Sequence, residues 1–489
     1  MTDNKLYTVL TYFDKIEQNR LRKYIRSPYF NVNETLMDYF DMIIEYINKS
    51  EKMEKNGKNE RRHKKNELTK EAVWKNLFKN EPFNDTRFRK LNSELLKLVE
   101  GYLAQEVYAN KPLQQVNYLF EAIGQKKIEK LYSSTESNAR LISTQQHQKP
   151  ADFYYYQYLI EKNYYESLDV DMQRGEKSNV DKIINHLDEF YLAEKLKWYN
   201  SVLSRKALVS HDYKLLFIDE IVEHVKKQNY YHNPVISIYF KILMSRLDSE
   251  NEDYFNDLIF LLNEYGHQFP NKEVYDLYSN ALNYCATRGG NKGDIKYLEK
   301  FLDIYSFILE KGIAMYASNN NELSPWHFNN AVMSSLRLGR FEWTENLIHN
   351  YQNKLSKEFR DNAVSYNLAL LYFYQKKFDK VKEQLREIEY EDISYNLSSK
   401  SMLIAIYYEE DDFEALHSLC DAFRTYLNRH KDFNEAHRQL YLNYISFVRK
   451  LTKLNTGDKS AIEQTRKEIE ETKAVASKKW LLEKLAELE

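Results

Sequence analysis

The chain has 489 residues but only 11 glycines and 7 prolines. At average usages of about 7% Gly and 5% Pro, a chain of this length would carry several times more of each. Tight turns between strands need these residues for their special backbone angles, whereas helices joined by short polar corners need few of them. In addition, no segment alternates apolar and polar residues between turn signals. The sequence therefore predicts an all-α fold with almost no β-structure.

The composition is that of a foldable, soluble chain, with 43% hydrophobic and 29% charged residues. A formal net charge of -2 does not favour nucleic acid or an anionic membrane as the main partner. The two cysteines, Cys285 and Cys420, indicate a reducing compartment rather than a disulfide framework. The first residues do not resemble a signal peptide, and no apolar run approaches the ~18–20 residues of a membrane span. We expect a cytoplasmic protein with no membrane partner.

Apolar residues at helical spacing from Leu6 onward predict an N-terminal helical unit over residues 1–132. Within it, residues 49–66 are rich in Lys and Arg and almost free of apolar residues. This stretch is interpreted as a solvated basic loop, with a nucleic-acid contact as the alternative. The polar stretch from Ser133 to Pro150 predicts a corner that separates the unit from the rest of the chain.

From Ala151 onward, the periodicity predicts helices in pairs that recur every ~35–50 residues, the range of helical-hairpin repeats. The pairs are expected to start near Ala151, Leu192, Pro234, Lys272, Glu322, Asp361, Tyr395 and Phe433. The array is expected over residues 151–457. Residues 458–489 are polar with a single leucine stripe, which is typical of capping helices.

The most regular unit covers residues 366–381. Leu368 and Tyr372 are one helical turn apart, and Phe378 opens the next helix with Val381 behind it. Neither helix can bury such a stripe alone, so each hairpin needs its neighbours, and we expect Leu368, Tyr372 and Phe378 to be buried.

With Ala369 as the small residue of the first helix, this pattern resembles a tetratricopeptide repeat (TPR). The same roles fall 35 residues later to Leu403, Tyr407 and Phe413, and more loosely 37 residues before Phe378 to Phe341, with Ala331 and Gly339. The best repeats therefore span residues 325–427. The resemblance implies a TPR-like helical-hairpin solenoid.

In the TPR family, the first helix of each hairpin lines a concave groove that binds peptides or helices. The resemblance places in this groove Trp326, Asn329, Asn330, Met333, Arg337, Tyr366, Asn367, Leu370, Tyr374 and Tyr408. Aromatic anchors beside amide donors are typical of binding hot spots, and Asn367 and Tyr374 are expected to be largely exposed. The family's carboxylate clamp for chaperone tails is not reproduced, because Ser398 and Met402 stand where it needs cations. The leading hypothesis is a non-catalytic scaffold that binds a protein or peptide.

The alternative hypothesis is a nucleic-acid-binding regulator. Residues 68–106 resemble the helix–turn–helix that precedes a TPR-like sensor domain in some bacterial transcription regulators. Arg87, Arg89 and Lys90, near the start of its second helix, would then contact phosphates or a groove. No β-hairpin wing is visible after Tyr102.

No motif in the sequence predicts catalysis, a cofactor or a metal site. Residues 289–293 contain three glycines but lack the spacing of a phosphate-binding loop, so they are interpreted as an inter-helix corner. His430 and His437 have no cysteine or carboxylate cluster to complete a zinc site. Both cysteines stand in apolar surroundings, unlike reactive thiols. The oligomeric state is not predicted.

Overall fold

A computed structural model of the chain describes residues 4–55, 68–79, 81–167, 179–206, 213–228, 230, 232–291, 293–318, 320–386, 393–429 and 435–489. These residues form 23 α-helices and no β-strand, with one isolated bridge between Leu323 and Leu355. The predicted all-α fold is thus confirmed for this part of the chain. None of the described helices is long and apolar enough to cross a membrane. The chain divides into two compact units, residues 1–147 with 151–190, and residues 148–150 with 191–489.

The first eight helices are α1 (Lys5–Thr11), α2 (Lys15–Arg26), α3 (Glu34–Lys55), α4 (Lys70–Leu77), α5 (Asp85–Ala109), α6 (Pro112–Lys126), α7 (Tyr132–Gln145) and α8 (Ala151–Ser167). Helix α2 begins at a capping box of Asp14 and Glu17, which satisfies amides that have no partner within the helix. One apolar cluster joins α1 to α5 around Tyr39, Phe40 and Phe88. A smaller cluster joins α6, α7 and α8.

Two predictions about this region are wrong in part. The predicted corner over residues 133–150 is helical as far as Gln145, because Thr135, Ala139 and Ser143 form a small-residue face that packs inward. A face of small residues carries little hydrophobic signal, so the periodicity did not reveal it. The predicted basic loop is helical over residues 49–55, where α3 continues. Its residues 56–66 lie outside the described residues.

The later helices are α9 (Val180–Lys206), α10 (Ile218–Gln228), α11 (Pro234–Leu247), α12 (Asp253–Tyr265), α13 (Asn271–Ala286), α14 (Ile295–Glu310), α15 (Pro325–Arg337), α16 (Phe341–Tyr351), α17 (Lys357–Tyr374), α18 (Phe378–Arg386), α19 (Ile393–Glu409), α20 (Phe413–Arg429), α21 (Glu435–Leu451), α22 (Lys459–Glu471) and α23 (Lys478–Glu487). From α11 to α20, each odd-numbered helix packs on the helix that follows it. Six of the eight predicted pair starts lie within four residues of a helix start. The exceptions are Leu192, which lies inside α9, and Phe433, which lies outside the described residues.

Three hairpins turn through the same corner. After α15, α17 and α19, a residue with positive φ follows the last helical turn: Gly339 (69°), Lys376 (56°) and Asp411 (58°). At each corner two amides bond back to carbonyls of the helix, as Gly339 N does to Leu336 O at 3.0 Å and Arg340 N to Ser335 O at 2.9 Å. This is the Schellman arrangement, in which a left-handed residue ends the helix. The corners recur at the spacing of the sequence pattern.

The seam inside the best repeat differs from the prediction. Leu368, Tyr372 and Phe378 are only partly buried, so the expectation that they form the buried stripe is wrong. Ala369, Leu371 and Val381 are instead fully buried. Farther along, the predicted cap region forms α22 and α23, which share an apolar cluster with α19, α20 and α21.

Candidate functional site

A cavity of about 800 Å³ lies in the second unit. Its walls come mainly from α11, α13 and α15, the first helices of three consecutive hairpins, with Ser204 of α9 and Leu298 of α14 at its margins. Most of the lining side chains are hydroxyls, amides and guanidinium groups. A cavity of this volume is large enough for part of a peptide or a small organic molecule.

The three helices present their residues to the cavity in the same register. The residue twelve positions after the start of each helix lines the cavity: Arg246 in α11, Asn283 in α13 and Arg337 in α15. The starts of α11 and α15 are fixed by Asn233 and Ser324, which cap the helices ahead of a proline at the first helical position. Local sequence signals thus determine which side chains reach the cavity.

Arg246 is held in the cavity wall by neutral acceptors. Its Nη2 donates to Ser204 Oγ at 2.8 Å and to Asn280 Oδ1. Burial lowers the pKa of the Arg246 guanidinium below its usual value, because a low-dielectric setting disfavours the charge. Within the described residues no carboxylate lies within 4.0 Å of it.

Arg288 lies on a π-helical turn, Thr287–Asn291, that follows α13. Its Nη1 donates to Ser249 O at 2.8 Å, and Glu250 and Glu252 lie at 3.3 Å and 3.5 Å from its terminal nitrogens. Burial disfavours the charge of the Arg288 guanidinium. The electrostatic effect of nearby Tyr284 and Glu250 is larger than that of burial, so the pKa of Arg288 is raised above its usual value. The turn predicted as an inter-helix corner is thus a π-turn, a feature frequent at functional sites.

Gly289 and Gly290 bring this turn close to its neighbours. A Cβ on Gly289 would lie 2.6 Å from Leu298 Cδ2, so a side chain there would displace α14. A Cβ on Gly290 would lie 3.7 Å from Arg337 Nη1. That nitrogen makes one long contact, 3.4 Å, to the Gly290 carbonyl. The Arg337 side chain is otherwise exposed, and no described carboxylate lies within 4.0 Å.

Of the predicted groove residues, Asn330, Met333 and Arg337 line the cavity together. Trp326 is 60% exposed but does not line it. Asn329 is partly buried, and its Oδ1 has no hydrogen-bond partner among the described residues.

The predicted groove residues of the next hairpin are placed differently. Tyr366, Asn367 and Leu370 are buried, because α15 and α19 both pack on α17. Tyr395 of α19 lies against Tyr366, with 4.6 Å between the ring centroids and 38° between the ring planes. The expectation that Asn367 is largely exposed is therefore wrong. Tyr374 is 37% exposed, which is less than the largely exposed position expected for it.

Tyr408 of α19 is partly buried. Its ring lies 5.4 Å from Trp480 of α23 and 6.0 Å from Phe413. The predicted groove residues therefore do not form one surface. Some line the cavity, some pack between helices, and Trp326 and Tyr374 are exposed outside the cavity.

Arg87, Arg89 and Lys90, the residues of the nucleic-acid alternative, each lie beside a carboxylate. Arg87 pairs with Glu81 and lies 4.3 Å from the centre of the Phe78 ring. Arg89 pairs with Asp85 at 2.7 Å and Lys90 with Glu94 at 3.9 Å. After Tyr102 the chain stays helical through α5 and α6.

Among the described residues, no three His, Cys, Asp or Glu side chains lie close enough to hold a metal ion. Cys285 and Cys420 are both buried free thiols, and burial raises the pKa of Cys285 to about 12. Such a thiol is a poor nucleophile at neutral pH. His430 and the side chain of His437 lie outside the described part of the structure.

Sequence reasoning missed Arg246, Arg288 and Asn280. Arg246 carried a usable signal, because it stands twelve residues after a capped proline, as Arg337 does. Arg288 depends on the π-turn, which no sequence pattern indicates.

Comparison of the chain with protein-family models, with curated proteins and with solved structures finds no match. The geometry of the cavity and its helices is therefore the basis on which a function can be proposed.

Proposed function

We propose that the second unit is a non-catalytic protein-interaction scaffold, a TPR-like array of helical hairpins that binds a peptide segment along the face of α11, α13 and α15. The observation that carries this proposal is the shared register of the three helices, which brings Arg246, Asn283 and Arg337 to one cavity. Surfaces built from the same position of successive repeats are how helical-repeat proteins bind extended partners.

The repeat assignment rests on the paired packing of neighbouring helices and on the three equivalent corners at Gly339, Lys376 and Asp411. Their recurrence at 35–37 residues is the period of helical-hairpin repeats. The TPR-like assignment is supported most strongly over residues 325–427.

The polar groups of the cavity can bind a peptide backbone. Asn283 and Asn330 line the cavity, together with several hydroxyls, and amides both donate to and accept from a peptide backbone. The buried free thiols favour a reducing compartment, so we place this function in the cytoplasm.

The nucleic-acid alternative has less support. Proteins that bind nucleic acid mainly through phosphates carry an excess of positive charge, whereas this chain has a formal net charge of -2.

Site-specific photo-crosslinking tests the scaffold proposal. A photo-reactive residue is placed at Met333, which lines the cavity, or at Phe260, which is 66% exposed on α12. Both full-length variants are expressed in the native cells, and adducts are identified by mass spectrometry. We expect a protein adduct from position 333 and none of the same mass from position 260.

Adducts that form equally at both positions would indicate non-specific proximity. A chain that captures partners but forms no adduct at position 333 would place the binding surface elsewhere. Either result contradicts the proposal.

A further inference from the structure

The cavity carries an unbalanced positive charge. Three arginines line it, and no aspartate or glutamate does. Glu250 and Glu252 neutralise Arg288. Arg246 and Arg337 have no carboxylate within 4.0 Å among the described residues, so two positive charges face the same space without a counterion.

Arg360 is likewise partly buried and bonds to neutral oxygens, the carbonyls of Asn353 and Leu355, but three other partly buried arginines differ from Arg246. Arg22, Arg140 and Arg449 each contact a carboxylate, at 2.7 Å, 2.8 Å and 2.5 Å. Removing a guanidinium from water without a counter-charge is costly. Arg246 has only the neutral oxygens of Ser204 and Asn280, so a bound anion would recover part of that cost.

One of these cations is open to a ligand. Arg337 is exposed, and Gly290 beside it leaves the approach to Arg337 Nη1 free of a side chain. The wall of the cavity thus places an accessible guanidinium near the partly buried Arg246.

We propose that the cavity binds an acidic segment of the protein partner, with Arg246 and Arg337 as the side chains that receive its oxyanions. The inference rests on the proposed function, since it names the chemistry of the partner at the same site. Guanidinium groups bind carboxylates and phosphoryl groups through paired hydrogen bonds, so glutamate, aspartate or phosphorylated side chains all fit. The cavity of about 800 Å³ is much larger than one such group, and its amides remain for the peptide backbone.

Fluorescence anisotropy with the full-length chain tests this inference. The probes are labelled ten-residue peptides, one of glutamates, one containing phosphoserines and one of glutamines, with inorganic phosphate as a competitor. The variants are Arg246→Gln and Arg337→Gln. The matched control is Arg340→Gln, whose side chain lies 3.7 Å from Glu299 and does not line the cavity.

We expect the glutamate or the phosphoserine peptide to bind at least tenfold more tightly than the glutamine peptide. The acidic peptide that binds more tightly shows whether the cavity prefers carboxylate or phosphoryl groups. Each arginine variant should weaken that binding about tenfold or more, because each loses charge-assisted hydrogen bonds. Arg340→Gln should leave it within about twofold, as is usual for an exposed ion pair. Arg246→Gln also removes contacts to Ser204 and Asn280, which contribute to the fold. If Arg246→Gln does not fold, the binding measured with Arg337→Gln decides the test.

Met333→Glu provides an independent test, since it places a carboxylate in the cavity that competes for the arginines. It should weaken binding of the acidic peptide, whereas Met333→Gln should not. Three results would each overturn the inference. The acidic and neutral peptides could bind equally well, Arg337→Gln and Arg340→Gln could weaken binding equally, or inorganic phosphate could bind as tightly as any peptide. If these results came with a specific adduct at position 333, the scaffold proposal would stand and only the acidic partner would be excluded.

Discussion

Asn367 of α17 is completely buried, yet only its amide nitrogen has a partner. Nδ2 donates to Ala363 O at 2.7 Å, while Oδ1 accepts no hydrogen bond from the described residues. A buried acceptor without a donor costs about 1–3 kcal/mol. Replacing the amide by an apolar side chain of similar branching removes that cost.

We therefore expect Asn367→Leu to keep the free energy of unfolding unchanged or to raise it by about 1 kcal/mol. Asn367→Asp should lower it by several kcal/mol, because it buries a charge without a counter-charge. Urea denaturation of the full-length variants measures both changes. A strongly destabilised Asn367→Leu would mean that a water molecule donates to Oδ1 in solution.

The sequence identified part of the cavity at the level of single residues. Asn330, Met333 and Arg337, which the TPR resemblance placed in a groove, line the cavity. Asn367 was predicted to be exposed and is buried, because its exposure depends on how the neighbouring helices α15 and α19 pack on α17. Periodicity gives the direction of a side chain, but the neighbouring helix decides whether water reaches it.

At the level of elements, the strength of the local sequence signal varies from helix to helix. Asn233 with Pro234, and Ser324 with Pro325, mark the starts of α11 and α15 by satisfying or removing unpaired amides. Helix α7 was missed because its packing face is made of Thr135, Ala139 and Ser143. Small polar residues are compatible with both helices and corners, so only tertiary packing decides between them.

The repeated corners give a prediction at this scale. A side chain at positive φ is strained by about 1 kcal/mol relative to glycine. Lys376→Gly should therefore stabilise the chain by about 0.5–1 kcal/mol, and Gly339→Ala should destabilise it by a similar amount. The space around Gly339 is open, with nothing within 4 Å of an added Cβ, so a steric clash cannot explain the loss.

Thermal denaturation of the two variants and of their parent checks this prediction. The matched control is Gly124→Ala in α6, where the position is helical and an added Cβ also meets nothing within 4 Å. Alanine should stabilise that helix by about 0.5–1 kcal/mol. If Gly124→Ala and Gly339→Ala shift the melting temperature in the same direction, the equivalence of the three corners is contradicted.

At the scale of the whole molecule, the sequence correctly indicated helices in neighbouring pairs, since short polar corners between amphipathic helices allow few other arrangements. It did not indicate how the apolar residues divide among clusters. Phe423 belongs to a cluster made entirely of residues 397–485, whereas the cavity is lined by residues 204–337. In a repeat array each hairpin contacts mainly its neighbours, so stability is a sum of local terms.

Phe423→Ala is expected to separate local from global stability in the second unit. The ring is fully buried, and removing a buried phenylalanine ring costs about 3–5 kcal/mol. If the unit is a repeat array, amide hydrogen exchange should accelerate in α19 to α23 and stay unchanged within about twofold in α11 to α14, because local opening is confined to cooperative segments. A matched variant in the cavity region, Leu243→Ala in α11, should give the reverse pattern. Exchange that accelerates equally in both regions for either variant would show that the unit unfolds as a single globular core, and the proposed repeat architecture would be wrong.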